Sequence, residues 1–502
     1  MRSRLSTLIP NSWKRSIRRF AGNRRGSIAV FLAVATIPLI GFLGAATDAA
    51  RGYMVKARLS QALDAAGLAG AQNVSDATKL ASDINQFFTA NFPAGFMNST
   101  VSGPTYTLDA NQQVLTLNAS ATIQTTFMRV LGFQTMVVSA QTEVTRKTQY
   151  LDVVIAIDMS GSMNSDTNGQ TRISAARAAA VELTNTLFGT NATNPLLKIG
   201  VVPWNGKVNV TTNGTAFDPS ATTTTTVPTF TSTPTWINPS GGAQSTVYYA
   251  NNSLVPLMSA PPANWQGCVY SRFVNDGDPQ NDADILYGSI DTPAGDWRAW
   301  EPIGPEGEPV SGGTCDMANI SGGGECISCL VHGVTPLSGT KQTVLDAVNQ
   351  LTSPTGSTNI TQGLGWAWRV LMPSPPFTQA LTDAEIAAAG GSRVQAIILL
   401  TDGENFAYNG DGYKRIWGLY SGSPAGVAMD ARLQALATNI KAGGVVIYTI
   451  QFANQGTAIQ TLLKQIATGP DAPYYHYAPD GDTLKTIFKQ VANALSDLRL
   501  SK

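Results

Sequence analysis

The stretch IAIDMSGSM, residues 155–163, sets a run of strand-forming residues directly against Asp158, Ser160 and Ser162. Alternate side chains of an extended segment point to one side, so these three oxygen-bearing groups can face a common point. Two further oxygen-rich loops follow at a distance, with Thr358 in GSTNITQGL and Asp402 at the end of IILLTDGE. Short hydroxyls and carboxylates without Cys or His suit Mg²⁺, which takes near-octahedral oxygen coordination at about 2.0–2.1 Å and retains waters. Each feature alone has a plainer reading. The serines can cap the next helix, and Asp402 with Gly403 can form a strand-end turn. The metal reading therefore depends on the three loops meeting.

The surrounding pattern supplies elements that would bring them together. LDVVIAIDMS is a continuous apolar run and TRISAARAAAVELTNTLF has helical spacing. LLKIGVVPWN, RVQAIILLTDG, VVIYTIQF and YYHYAP read as further strands. KQTVLDAVNQL, ITQGLGWAWRVL, AMDARLQALATNIKAGG, AIQTLLKQIA and GDTLKTIFKQVANALSDL read as helices. Strands alternating with helices predict an α/β fold with a mostly parallel sheet covered on both faces. Ligands of such sheets bind beyond the carboxyl ends of the strands, where all three oxygen-rich loops fall.

The constellation resembles the metal-ion-dependent adhesion site of von Willebrand factor A domains, D-x-S-x-S with a distant Thr and a distant Asp. The resemblance covers residues 150–206 and 337–495, and implies a Rossmann-like fold. It implies Mg²⁺, with Mn²⁺ as a substitute, held by Asp158, Ser160, Ser162, Thr358 and Asp402. In that family the three hydroxyls bind directly or through water and the carboxylates mostly through water. One coordination position is left for a Glu or Asp of a protein partner.

Residues 207–336 interrupt this domain, opening with Thr-rich SATTTTTVPTFTSTPTW and continuing dense in Pro, Gly and aromatics, as a loop-rich insertion does. All four cysteines, Cys268, Cys315, Cys326 and Cys329, lie within it. In an oxidising exterior they read as two disulfides with three pairings open; one CxxC and two isolated cysteines make a weaker case for zinc. NDGDPQNDAD places Asp276, Asp278, Asp282 and Asp284 close together, but without the Gly and terminal Glu of an EF-hand loop it reads as a solvated turn rather than a Ca²⁺ site.

The chain of 502 residues has equal numbers of basic and acidic groups, 33 each, but they are unevenly placed. Eight cations and no acid fall in residues 1–25, leaving 25 basic against 33 acidic groups in the remainder. An acidic body gives no footprint for nucleic acid. Residues 26–47, GSIAVFLAVATIPLIGFLGAAT, hold no ionisable side chain and would reach roughly 33 Å as a helix, enough for a hydrocarbon core of about 30 Å. This predicts a transmembrane helix, kinked near Pro38, with the basic tail in the cytoplasm and the rest outside, in the periplasm or at the exterior of an inner (cytoplasmic) membrane. A cleaved signal peptide is the competing reading, but the long apolar core and the loose small-residue site around Ala45 favour a retained anchor.

Beyond the span, apolar or small residues at Ala49, Tyr53, Leu59, Leu63, Ala66 and Gly70 predict an amphipathic continuation of the helix. Alternating segments over 105–147, with a hairpin turn at 109–112, predict half-buried strands. A long helix leaning on a small antiparallel sheet is a pilin-like α+β arrangement, expected over residues 48–149. RRGSIAVFLAVATIPLIGFLGAATDAARGYMVKARLSQALDAAGLAGA and TFMRVLGFQTMVVSAQT resemble the N-terminal part of TadG-like proteins of bacterial Flp pilus assembly, over residues 22–147. Related pseudopilins carry a Glu five residues after the Gly at which a peptidase cleaves. Phe31 stands at that place here, which argues for an anchored component rather than a polymerised subunit.

No GxSxG or Walker loop occurs, and His332 and His476 have no adjacent nucleophile motif. The expectation is a non-enzymatic, single-pass membrane protein whose metal site binds another protein of the pilus or envelope secretion machinery. A surface adhesin using the same site is the alternative, and a metal-dependent hydrolase the more remote one. Residues 496–502 read as a short C-terminal tail.

Overall fold

The computed structural model describes residues 27–72, 74, 77–109, 114–145, 148–212, 214–231, 242–263, 265–272, 282–290, 292, 295–303, 329–406 and 423–500. The basic tail, Asp276, Asp278, Cys315 and Cys326 lie outside the described residues. The chain divides into two compact units at Lys147/Thr148.

In the first unit the apolar segment and its continuation form one helix, α1 (Ser27–Ala71), with Pro38 inside it. A second helix, α2 (Ala77–Asn91), precedes an antiparallel sheet of β1 (Ser99–Leu108), β2 (Val114–Gln124) and β3 (Thr135–Thr145), in that spatial order. The core follows two periodicities. Val55, Leu59, Ala62, Leu63 and Ala66 recur at helical spacing on α1, whereas Leu115, Leu117, Ala119, Ala121 and Ile123 alternate along β2. Leu80, Ile84 and Phe88 of α2 complete it. The expected face of α1 needs correction at its start, since Ala49 is exposed and Tyr53 is 75% exposed. The buried face instead runs through Gly44, Asp48, Gly52 and Val55, because small residues let β3 approach the helix. A Cβ at Gly52, for example, would fall 2.3 Å from the Met136 side chain.

The second unit holds a six-stranded sheet. Strand β4 (Thr148–Asp158) leads to α3 (Arg172–Phe188), and β5 (Leu197–Trp204) pairs parallel with β4. A hairpin follows, β6 (Thr223–Thr231) with β7 (Ala243–Tyr249). Then come β8 (Thr335–Ser338), α4 (Lys341–Asn349), α5 (Ile360–Leu371), α6 (Asp383–Ala388) and β9 (Gly391–Thr401). The chain finishes with α7 (Ser423–Ala442), β10 (Val446–Phe452), α8 (Thr457–Ile466), β11 (Tyr475–Ala478) and α9 (Gly481–Leu500). The spatial order is β8-β5-β4-β9-β10-β11, parallel throughout except for β8.

Strands covered on both faces favour apolar residues at consecutive positions, which is why β4 over 153–157 and β9 over 396–400 are unbroken apolar runs. Val154 and Ala156 of β4 enter one core with α5, α7 and α8, and Val153, Ile155 and Ile157 enter another with α3, α4 and α9. Helix α5 lies so close to β5 that a Cβ at Gly363 would fall 2.4 Å from Trp204 Nε1, so only glycine fits there. Trp366 and Trp368 are buried packing residues of α5.

Candidate metal centre

Strand register sets the positions of the two carboxylates. Leu400 pairs with Ile157, so Asp158 and Asp402 leave neighbouring parallel strands one and two residues further on. Asp158 is fully buried: one carboxylate oxygen accepts the Ser160 backbone N–H at 2.7 Å and the other accepts the Thr401 hydroxyl at 2.7 Å. Ser160 Oγ and Ser162 Oγ lie 3.1 Å apart, and Ser162 donates to Asp402 Oδ1 at 2.6 Å. The second Asp402 oxygen accepts from Arg172 at 2.8 Å.

Thr358 reaches the same edge through backbone pairing. It exchanges both backbone hydrogen bonds with Phe406, N to O at 3.2 and 2.9 Å, which ties its loop to the one after β9. A Cβ at Gly403 would lie 3.5 Å from Thr358 Oγ1 and 3.9 Å from Ser162 Oγ, so both hydroxyls border one point. The first and second loops are joined by Gly161 N–H to Gly356 O, Thr355 N–H to Met159 O, and Asn164 Nδ2 to Pro354 O. Asn205, at the end of β5, donates to Thr355 O, and Asn405 accepts the Ile360 N–H at the start of α5. The structure therefore brings Asp158, Ser160, Ser162, Thr358 and Asp402 to one edge of the sheet.

The chemistry of this edge suits a hard cation. Among the described residues no three His, Cys, Asp or Glu side chains gather into a metal-binding group, so a site here relies on two carboxylates and three hydroxyls. That is an oxygen set of the kind Mg²⁺ accepts. Burial, and secondly the Asp402 charge beside it, push the Asp158 carboxyl up to about 7. A divalent cation bound between two such carboxylates would reverse that repulsion. Arg172 was not marked by the sequence, because nothing in a lone Arg at a helix start signals a carboxylate that lies 230 residues away.

The other candidates fall elsewhere. Cys268 and Cys329 form a disulfide. Asp282 and Asp284 are not in a solvated turn, which corrects the expectation for NDGDPQNDAD: both are buried in ion pairs. Asp282 Oδ2 meets Arg432 Nε of α7 at 2.7 Å, and Asp284 Oδ1 meets Arg272 Nε at 2.7 Å and Arg369 of α5 at 2.6 Å. Arg272 also lies 3.8 Å from the Trp300 ring centroid. Burial would raise the Asp284 carboxyl, but Arg369 and Arg272 more than offset it and hold it below the ordinary range. These carboxylates are committed to Arg and not to Ca²⁺. The insertion also carries the β6–β7 hairpin, regular structure that its Thr-rich sequence did not reveal. His476 lies in β11 with Nε2 2.9 Å from Pro473 O.

Comparison with known proteins identifies two segments. Residues 331–490 match the von Willebrand factor type A domain family, and residues 26–73 match the family described as putative Flp pilus-assembly TadE/G-like. One chain thus carries a TadE/G-like match near its N-terminus and a von Willebrand factor A match from residue 331 on, and β4, which precedes the insertion, pairs in the same sheet as the strands of the second match. No curated protein matches it. Similar solved structures include the pilus adhesin SpaC from Lactobacillus rhamnosus GG, with a TM-score of 0.34, 11% identity, and coverage of 79% of this chain and 34% of that one. The vWF domain of the type V pili tip protein Mfa5 from Porphyromonas gingivalis has a TM-score of 0.33 and 11% identity, covering 70% of this chain and 96% of that one. Proximal thread matrix protein 1 from the mussel byssus has 0.31 and 12%, covering 69% and 46%. The chain spans about a third of the SpaC chain and under half of the mussel protein. Similarities this distant carry no argument about function.

Proposed function

We propose that this chain is a membrane-anchored, metal-dependent protein-binding component of Flp pilus assembly or a related secretion system, and not an enzyme. The observation that carries the reading is the Ser162–Asp402 hydrogen bond at an edge that also gathers Asp158, Ser160 and Thr358, in a chain with a TadE/G-like N-terminal segment. Asp158, Ser160, Ser162, Thr358 and Asp402 would hold Mg²⁺, or Mn²⁺ in its place. When bound, the ion supplies a coordination position for a Glu or Asp carboxylate of the partner. The rest is the work of the chain. Thr401 and the Ser160 N–H fix the Asp158 carboxylate, and the Thr358–Phe406 pairing holds the second loop against the third.

Among the described residues one helix is long and apolar enough to cross a bilayer, and it is α1. With the basic tail retained in the cytoplasm, residues after the span lie outside an inner membrane, where the Cys268–Cys329 disulfide can persist. The test is capture of envelope proteins by the detergent-solubilised full chain with Mg²⁺ or EDTA. Capture that needs Mg²⁺ and vanishes in Asp158→Ala supports the reading, and capture indifferent to both contradicts it. Deletion that spares piliation but abolishes attachment would favour the adhesin, and metal-dependent turnover lost with Asp158→Ala would favour a hydrolase.

A further inference from the structure

The first unit carries an exposed apolar turn at a fixed height on the membrane helix. Between Ile28 and Leu43 no described side chain of α1 is buried, and Phe31, Ile37 and Phe42 are 75%, 74% and 78% exposed. Protein cover begins abruptly at Gly44, where a Cβ would fall 2.3 Å from Phe127 Cβ. One turn further, Asp48 accepts the backbone N–H groups of Thr126, Phe127 and Met128 at 2.8–3.1 Å. Arg51 donates to Asp48, Thr126 Oγ1, Gln124 O and Met97 O. The turn joining β2 to β3 is thereby bound to α1 at the level where the uncovered apolar surface ends.

That turn presents Phe127, Val130 and Phe133 at 44%, 86% and 60% exposure, with Arg129 also exposed among them. From Leu43 to Asp48 the helix rises only about 7 Å, roughly the depth of the headgroup layer on one side of a bilayer. A helix that crosses the membrane with residues 28–43 in hydrocarbon cannot keep these side chains far from the headgroups. Leaving them in water would forgo about 25 cal/mol per Å² of apolar surface, whereas the interface accepts apolar side chains and a cation together. Asp48 poses no obstacle at this depth, since its carboxylate is 1% exposed and satisfied by three N–H groups and Arg51.

We infer that residues 125–134 form a collar seated in the outer interfacial layer of the bilayer that α1 crosses, with Phe127, Val130 and Phe133 inserted among the lipids. This rests on the anchor reading above. It adds a second membrane contact, which would fix the tilt and rotation of α1 and hold the β1–β3 sheet against the surface.

The test uses the full chain in phosphatidylethanolamine/phosphatidylglycerol vesicles, with p-benzoylphenylalanine placed singly at Phe31, Val130, Phe133 or Thr107. Thr107 is exposed on β1 and pairs with Thr116, eight residues along β2 from its end at Gln124. After irradiation, mass analysis should find lipid adducts at positions 31, 130 and 133 and none at 107. Lipid adducts at 31 with none at 130 and 133 would overturn the collar while leaving the anchor standing. Adducts at 130 and 133 to polypeptide instead of lipid would make the turn a protein-docking face and also overturn it. No lipid adduct at 31 would remove the anchor and the collar together.

Discussion

Ser162 donates a 2.6 Å hydrogen bond to Asp402 across 240 residues of sequence, joining the loop after β4 to the loop after β9. Arg172 holds the other oxygen of the same carboxylate at 2.8 Å. The hydroxyl thus faces a carboxylate that is already paired with a cation, and a metal ion entering here must share Asp402 with a guanidinium.

Arg172→Gln should accordingly tighten Mg²⁺ binding by about three- to tenfold, because a neighbouring positive charge disfavours a second one. Titration calorimetry on the full chain in detergent checks this. Weaker binding in the variant would mean that Arg172 organises Asp402 for the ion and does not compete with it.

Asp284 stands between two buried guanidinium groups, Arg272 and Arg369, so Asp284→Ala removes the carboxylate that both of them pair with in the core. The expected cost is about 3–5 kcal/mol, read as a fall in the thermal unfolding midpoint. Added Ca²⁺ should leave the wild-type midpoint unchanged. Calcium-dependent stabilisation would contradict the assignment of Asp282 and Asp284 to Arg partners.

Asp152 on β4 is 5% exposed, and burial pushes its carboxyl up to about 6 although Arg393 and Lys198 pull the other way. A folded value above the unfolded 3.8 means that the fold favours the protonated form. Its contribution is full below about pH 4 and is lost as pH rises through about 6. Asp152→Asn should flatten stability between pH 4 and 7 and raise it at pH 8 by on the order of 1–3 kcal/mol. Arg393 keeps Asp383 and Lys198 keeps Gln379 O as partners, so neither cation is stranded. Parallel pH profiles for variant and wild type would count against this.

The parallel strands were legible because burial on both faces favours consecutive apolar residues, and β4 has them over 153–157 and β9 over 396–400. Helix α5 was legible to the residue, since ITQGLGWAWRVL is bounded by a capping Asn359 and by Pro373. Asp158, Ser160 and Ser162 stand out because their pattern at 158–162 is local, whereas Thr358 and Asp402 are singled out only through the resemblance to von Willebrand factor A domains. Features made by distant pairs were not legible. Asp284 looked like one acid among several in a turn, yet its partner Arg369 lies 85 residues on, and Arg432 lies 150 residues beyond Asp282. Strand β8 escaped notice because four residues carry too little periodicity. Helix α2 escaped too, although Leu80, Ile84 and Phe88 recur every four residues.

The central claim is a metal site built on Asp158 and Asp402, and its most direct test is Mg²⁺ titration of the detergent-solubilised full chain at pH 8, comparing wild type with Asp158→Ala/Asp402→Ala. We predict one ion per wild-type chain and none in the double variant, with near-identical circular dichroism, since the apolar strands of the sheet do not depend on the ion. Equal stoichiometry and affinity in both proteins would contradict the claim.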